Sequence, residues 1–169
     1  MRTKSISNTE EWDCDLETGI ARLSPAGACY FEIDENELQS LLKLPDTMIG
    51  SDGLPHDKLP HPRLWGTFPR VVGYYARELG LMSMEQAIHQ MTGLTASVFG
   101  LKDRGLIKPG HAADLVLFDP DRILDVADFD DPIQPASGIS RVYVNGRVVW
   151  ENGGPTGNRP GMWLTRAAA

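Results

Sequence analysis

Apolar positions fall at helical spacing through most of the chain's first part and in short strand-like runs after it. Asp34 and Glu37 stand in capping-box spacing, and Leu38, Leu41 and Leu42 follow on one helical face. Pro45-Asp46 stops that helix. Thr47-Met48-Ile49-Gly50 is a β-prone run that predicts a short buried strand, closed by Ser51-Asp52-Gly53. Helix, tight turn and buried strand in that order make one unit of an α/β architecture. From Leu54 to Arg70, Pro55, Pro60, Pro62 and Pro69 predict a loop. Arg70 to Leu79 reads as a helix with Val71, Val72, Tyr75 and Leu79 on one side. Ser83 and Gln86 form a second capping box ahead of the stripe Ala87, Ile88 and Met91. Thr92-Gly93 interrupts this helix, and one more short turn is expected over Thr95 to Phe99.

The character changes after Gly105. Leu115-Val116-Leu117-Phe118 predicts a buried strand between the turns Lys108-Pro109-Gly110 and Asp119-Pro120. Val142-Tyr143-Val144 and Arg147-Val148-Val149-Trp150 flank Asn145-Gly146, the dipeptide that a type I′ hairpin turn demands. A domain boundary is therefore expected near Leu101, dividing residues 1–100 from residues 101–169. The first thirty residues are poorly periodic, and only Ile20-Ala21-Arg22-Leu23 hints at order before Ser24-Pro25-Ala26-Gly27.

A chain of 169 residues is long enough for one ordinary hydrophobic core. No stretch approaches the roughly 20 apolar residues that cross a bilayer. The start, Met1-Arg2-Thr3-Lys4, is basic, but no apolar core follows it, so a secretory signal is not expected and a cytoplasmic, soluble protein is. Net charge is −7, and no basic stripe with interleaved aromatics is present; both features argue against nucleic acid as a partner. Cys14 and Cys29 stand in no CxxC pair and read as reduced thiols.

The stretch that carries chemistry is Ile49-Gly50-Ser51-Asp52-Gly53-Leu54-Pro55-His56-Asp57. An acidic residue at the C-terminal end of a strand, followed by Gly, occupies the place where α/β barrels keep catalytic groups. The residues alone leave three roles open for Asp52: general base, metal ligand or plain helix cap. His56, His61 and Arg63 bunch among prolines that hold the backbone stiff. Arg63 offers a planar fork for a carboxylate, which is either a ligand's or that of Asp57 or a neighbouring acid. Each His has the alternative of a surface or packed imidazole. A metal site needs three or four converging ligands, and the chain has neither HxH nor HExxH. No metal ligand is assigned.

Gly50-Ser51-Asp52-Gly53-Leu54-Pro55-His56-Asp57 and Pro60-His61-Pro62-Arg63-Leu64-Trp65-Gly66-Thr67-Phe68-Pro69-Arg70 together resemble the N-acyl-D-amino-acid deacylase (D-aminoacylase) family of the amidohydrolase superfamily. Met91-Thr92-Gly93-Leu94-Thr95-Ala96 is similar to the helix break after the barrel in these enzymes. Gly105 to Asp119 is similar to a strand shared across the superfamily, and the hairpin at Val144-Asn145-Gly146 fits the same order. The resemblance implies an α/β fold: the C-terminal part of a (β/α)8 barrel, its last strand and following helices, and then part of a small β-sandwich. It implies zinc-dependent hydrolysis of the amide of N-acyl-D-amino acids. Asp52 resembles the carboxylate that takes a proton from the metal-bound water and delivers it to the leaving amine. Arg63 resembles the arginine that holds the substrate carboxylate, and His56 and His61 are left with loop-shaping roles. The family's early histidine pair, bridging cysteine and mid-barrel histidines have no counterpart here, and a full barrel takes about 250 residues. The chain alone is therefore expected to retain no zinc and to be inactive, and to self-associate or to pair with a complementing N-terminal half. The alternative is a non-catalytic interaction module or a truncated remnant.

Overall fold

The computed structural model describes residues 3–5, 11–12, 28–30, 33–55 and 60–166. Cys14, His56, Asp57 and the run Ile20–Leu23 lie outside the described residues. Three short strands, β1 (Thr3–Ser5), β2 (Glu11–Trp12) and β3 (Ala28–Tyr30), form an antiparallel sheet in the order β2-β1-β3. The sequence shows no periodicity there, and strands this short carry too few residues to display one.

Helix α1 (Glu35–Leu42) starts where the capping box puts it. The Asp34 carboxylate accepts the Asn36 N–H at 2.8 Å, and this bond holds the Asp34 carboxyl below its usual range. Leu42 is buried and Leu38 partly so, but Leu41 is exposed, so the buried face is narrower than the leucine triplet suggests.

The run 47–50 is not a strand. Ile49 N–H donates to Gln90 O at 3.4 Å and the Thr47 hydroxyl to Leu41 O at 2.8 Å, and both acceptors belong to helices. A strand needs neighbours about 4.8 Å away on its hydrogen-bonding sides. Among the described residues none lies beside this run, and Met48 is exposed.

The predicted loop also ends early. Helix α2 (Arg63–Arg70) begins directly after Pro62 and contains Pro69. Proline in a helix removes one N–H and crowds the carbonyl four residues back. Here the ladder opens just beyond it, and Val71–Glu78 continues as a wide π-helix, with Leu79 N–H reaching Tyr74 O at 2.9 Å. The wider turn explains why Val71, Val72, Tyr75 and Ala76 are buried while Leu79, expected on the same side, is exposed.

Helix α3 (Met84–Met91) is capped by Ser83, whose Oγ accepts the Gln86 N–H at 3.1 Å. The backbone breaks at Thr92, and α4 (Gly93–Phe99) follows; it is longer than the single turn expected. The core joins Leu42, Val71, Tyr75, Ala76, Met82 and Ala87, with Leu38 and Ile49 packed against it. Gln90 sits within this layer at 0% exposure. Its Nε2 donates to Leu42 O at 3.2 Å and Leu44 O at 2.8 Å, tying the end of α1 to α3.

After residue 100 the chain forms a four-stranded antiparallel sheet in sequence order: β4 (Leu115–Phe118), β5 (Ile139–Val144), β6 (Arg147–Glu151) and β7 (Gly154–Pro155). The hairpin turn has φ +47 at Asn145 and +75 at Gly146, as type I′ requires. It is pinned from below, because Asp114 Oδ1 accepts the Asn145 N–H at 2.7 Å while Asp114 Oδ2 pairs with the buried guanidinium of Arg104. β4 is a strand as predicted but is not buried: Val116 is 52% and Leu117 55% exposed at the open edge of the sheet.

The segment between β4 and β5 packs back on the π-helix. A Cβ on Gly73 would lie 2.2 Å from Ile123 O, so only glycine permits this approach. Arg77 Nη1 donates to Ile123 O at 2.8 Å and Arg70 Nη1 to Asp125 Oδ2 at 3.1 Å. Among the described residues, no helix is long and apolar enough to cross a membrane.

Candidate functional site

The turn after the 47–50 run and the first turn of α2 meet face to face. Asp52 has φ +47, in the left-handed region that non-glycine residues rarely occupy and that Asp tolerates better than most. Gly53 supplies the close approach: a Cβ there would lie 2.7 Å from Leu64 Cδ1 and 2.8 Å from Leu64 Cα. Because that space is empty of side chain, the 52–53 turn rests against residues 63–64.

Helix α2 starts without a Ser, Thr or Asp cap. Instead His61 Nδ1 accepts the Arg63 N–H at 3.0 Å, which requires the imidazole to be unprotonated at Nδ1. The ring stacks edge-on against Phe129, with centroids 5.1 Å apart. Burial lowers the His61 pKa below its ordinary value, the Arg63 charge lowers it further, and Asp52 opposes both. His61 thus shapes the loop and the helix start.

Arg63 then reaches back across eleven positions to Asp52. Its Nε–H donates to the Asp52 carbonyl at 2.9 Å, and Nη2 lies 2.7 Å from Oδ2 of the same residue. The fork of the guanidinium is thus placed on one residue's backbone and side chain together. The pair is open to solvent, with side-chain exposures of 80% for Asp52 and 39% for Arg63.

The sequence singled out Asp52 and Arg63, and both stand at one point of the surface. The acid beside Arg63 was expected to be a ligand's, Asp57 or a neighbour; in the structure it is Asp52. Sequence reasoning passed over Gln90, whose backbone carbonyl receives both Ile49 N–H and the Thr95 hydroxyl at 3.0 Å. A lone Gln on a helix gives no signal that its amide faces the core.

Zinc, which the resemblance implies, does not fit the described residues. Among them, no three His, Cys, Asp or Glu side chains gather. The two nearest donors are engaged, Asp52 with Nη2 and His61 Nδ1 with a backbone N–H.

The amidohydrolase family model matches residues 14–150. The chain belongs to the amidohydrolase family. The D-aminoacylase of Alcaligenes xylosoxydans xylosoxydans is 55% identical to this amidohydrolase chain over 150 residues, covering 89% of the chain and 31% of the relative. A D-aminoacylase variant solved in complex with copper chloride superposes with a TM-score of 0.87 at 49% identity, over 98% of this chain and 38% of its own. The N-acyl-D-glutamate deacylase of Bordetella bronchiseptica was solved with zinc and a phosphonate mimic of the tetrahedral intermediate. It gives a TM-score of 0.83 at 50% identity, over 92% of this chain and 32% of its own. The amidohydrolase chain spans about a third (31%) of the length of the curated relatives it matches. Its described fold is α/β with a small antiparallel sheet.

Proposed function

We propose that this chain supplies the proton-transfer carboxylate and the substrate-carboxylate arginine for metal-dependent hydrolysis of the amide in N-acyl-D-amino acids. Asp52 accepts a proton from the attacking water and returns it to the departing amine nitrogen. Arg63 holds the substrate's α-carboxylate through its planar fork and so sets the scissile amide in reach of Asp52. The observation that carries this reading is the meeting of the two groups, 2.7 Å apart, in a chain 55% identical to a D-aminoacylase.

The same reading makes residues 1–100 the end of a (β/α)8 barrel and residues 101–169 part of a β-sandwich, acting in the cytoplasm. The helical run followed by an antiparallel sheet is what supports that division. The run 47–50 then becomes the last barrel strand, which pairs only when neighbouring strands are supplied. The chain alone does not turn over substrate; it works with a complementing N-terminal segment or associates with itself.

The test is a chimera in which this chain replaces the homologous third of the Alcaligenes D-aminoacylase. N-acetyl-D-amino acids should be hydrolysed. Asp52→Asn should lower kcat by about 10²–10⁴-fold, the range for loss of a general acid–base group, with zinc content unchanged. Full turnover in the Asp52→Asn chimera, or an inactive wild-type chimera that is folded and metal-loaded, would remove the assignment.

A further inference from the structure

Helix α2 carries Arg63 as its first residue, and Pro62 before it offers no capping side chain. His61 supplies what is missing. Its Nδ1 accepts the Arg63 N–H at 3.0 Å, and its carbonyl accepts the Leu64 N–H at 3.0 Å. We propose that His61, seated on Phe129, is a positioning residue for Arg63, fixing the backbone from which the guanidinium reaches a ligand's carboxylate. The inference rests on the role proposed above for Arg63 and adds two residues that act through it.

The imidazole is itself held from the far side. The run 123–129 follows α2 and the π-helix in the opposite direction. Ile123 O fills the space that a Cβ on Gly73 would need. Asp125 takes the Arg70 guanidinium, and its Cβ stands 3.1 Å from where a Gly66 Cβ would be. Phe129 ends the row against His61, with ring centroids 5.1 Å apart and planes at 73°, an edge-on arrangement in which aromatic rings attract. Without that ring the imidazole is free to turn about its two side-chain bonds, and Nδ1 no longer faces the Arg63 N–H. The segment between β4 and β5 thus sets the start of the helix that carries Arg63. The side-chain anchor of Arg63, Nε–H on Asp52 O at 2.9 Å, spans eleven positions and forms only while residue 63 faces the 52–53 turn.

The hold depends on protonation, because Nδ1 accepts a hydrogen bond only when it carries no proton. Among the described residues, the charges acting on the ring are Arg63 on α2 and Asp52 on the facing turn, which oppose each other, while burial favours the neutral form. From the β4–β5 segment the ring meets Phe129, and the acid that this segment lays on α2, Asp125, is engaged by Arg70. The neutral ring therefore prevails above its ordinary value of 6.5, and Arg63 is released as pH falls through the depressed value.

The chimera described above, assayed with N-acetyl-D-alanine near neutral pH, tests this. His61→Ala should raise KM about 5-fold, the scale of one lost hydrogen bond, with kcat little changed. Phe129→Ala should also raise KM, and the double variant no further than His61→Ala alone, because the two act through one contact. His61→Asn, whose amide oxygen accepts the N–H at any pH, should recover part of the lost KM. It should also remove the rise in KM that the wild type shows on acidification. A KM unmoved by His61→Ala, effects of His61 and Phe129 that simply add, or the same acid rise in His61→Asn would overturn the positioning. Should the variant chimeras fail to fold, NMR of the 169-residue chain decides. The Arg63 Nε–H signal should shift as His61 takes its proton, and a signal that ignores this titration overturns the proposal. The two proposals fail separately: full turnover in the Asp52→Asn chimera ends the proton-transfer assignment, and an unmoved KM in an active His61→Ala chimera ends the positioning alone.

Discussion

Gln90→Met keeps the volume of a fully buried side chain and deletes its hydrogen bonds. The wild-type amide donates to Leu42 O at 3.2 Å and to Leu44 O at 2.8 Å, and its Oε1 finds no donor among the described residues. Each lost bond costs about 1 kcal/mol net, with a further penalty for any carbonyl left dry. Removal of the unmatched Oε1 returns part of that. The balance is a destabilisation of about 2 kcal/mol. Urea unfolding followed by far-UV circular dichroism should register it as a midpoint lowered by about 1 M, for a slope of roughly 2 kcal/mol/M that is unchanged between the proteins. Gln90→Glu sharpens the argument, because it points a carboxylate at two carbonyl oxygens. Burial raises the introduced carboxyl's pKa in the folded state. Its penalty should be small below about pH 4.3, the unfolded value, and grow as pH rises toward the folded one. A Met variant as stable as wild type, or a Glu variant whose stability ignores pH, would refute the role given to this amide.

Gly73→Ala drives a methyl into the Ile123 carbonyl at 2.2 Å, a backbone atom with no freedom to rotate away. The cost should be about 3 kcal/mol, lowering Tm by roughly 6–12 °C in a scanning melt; a change within about 2 °C would mean the two segments do not touch. His61 is easier to deprotonate in the fold than in the unfolded chain, so its contribution is complete above its ordinary value of 6.5 and is lost as pH falls through the depressed folded value. Stability should drop on acidification through that window, and His61→Asn, which keeps an acceptor for the Arg63 N–H, should lose this part of the pH dependence. Leu117 lies on an open strand edge, so the isolated chain should associate in light scattering and Leu117→Lys should reduce the effect. A monodisperse wild-type monomer would contradict this.

Local signals survived the passage from sequence to structure where their cause was local. The two caps at Asp34 and Ser83, the break at Thr92-Gly93 and the Asn145-Gly146 turn each depend on a few adjacent residues, and each is found. The failures depend on distant partners. Thr47 to Gly50 has strand composition but no described strand beside it, and Val116 and Leu117 have buried-strand composition but face solvent. Pro69 was read as a loop residue because proline argues against helix; in the fold, wide turns follow it at once. At the candidate site, Asp52 and Arg63 were legible as types of group in a known pattern. Which acid Arg63 meets was left open between a ligand's, Asp57 and a neighbour, because the choice of Asp52 depends on the bare α-carbon of Gly53 meeting Leu64.

The sheet contains a second Asn-Gly corner, with φ +53 at Asn152 and +78 at Gly153 between β6 and β7, which the sequence displays as plainly as the first. Asn-Gly links age chemically: the glycine nitrogen attacks the asparagine amide, ammonia leaves, and the succinimide opens to aspartate or isoaspartate. At the first corner both reacting groups are held, the Asn145 amide nitrogen on Pro160 O at 2.8 Å and the Gly146 N–H on Ala113 O at 2.9 Å. The second corner is an exposed turn at the end of a two-residue strand. Deamidation in stored protein should therefore begin at Asn152, giving the sheet's last corner a new negative charge while the hairpin at Asn145 keeps its original chemistry.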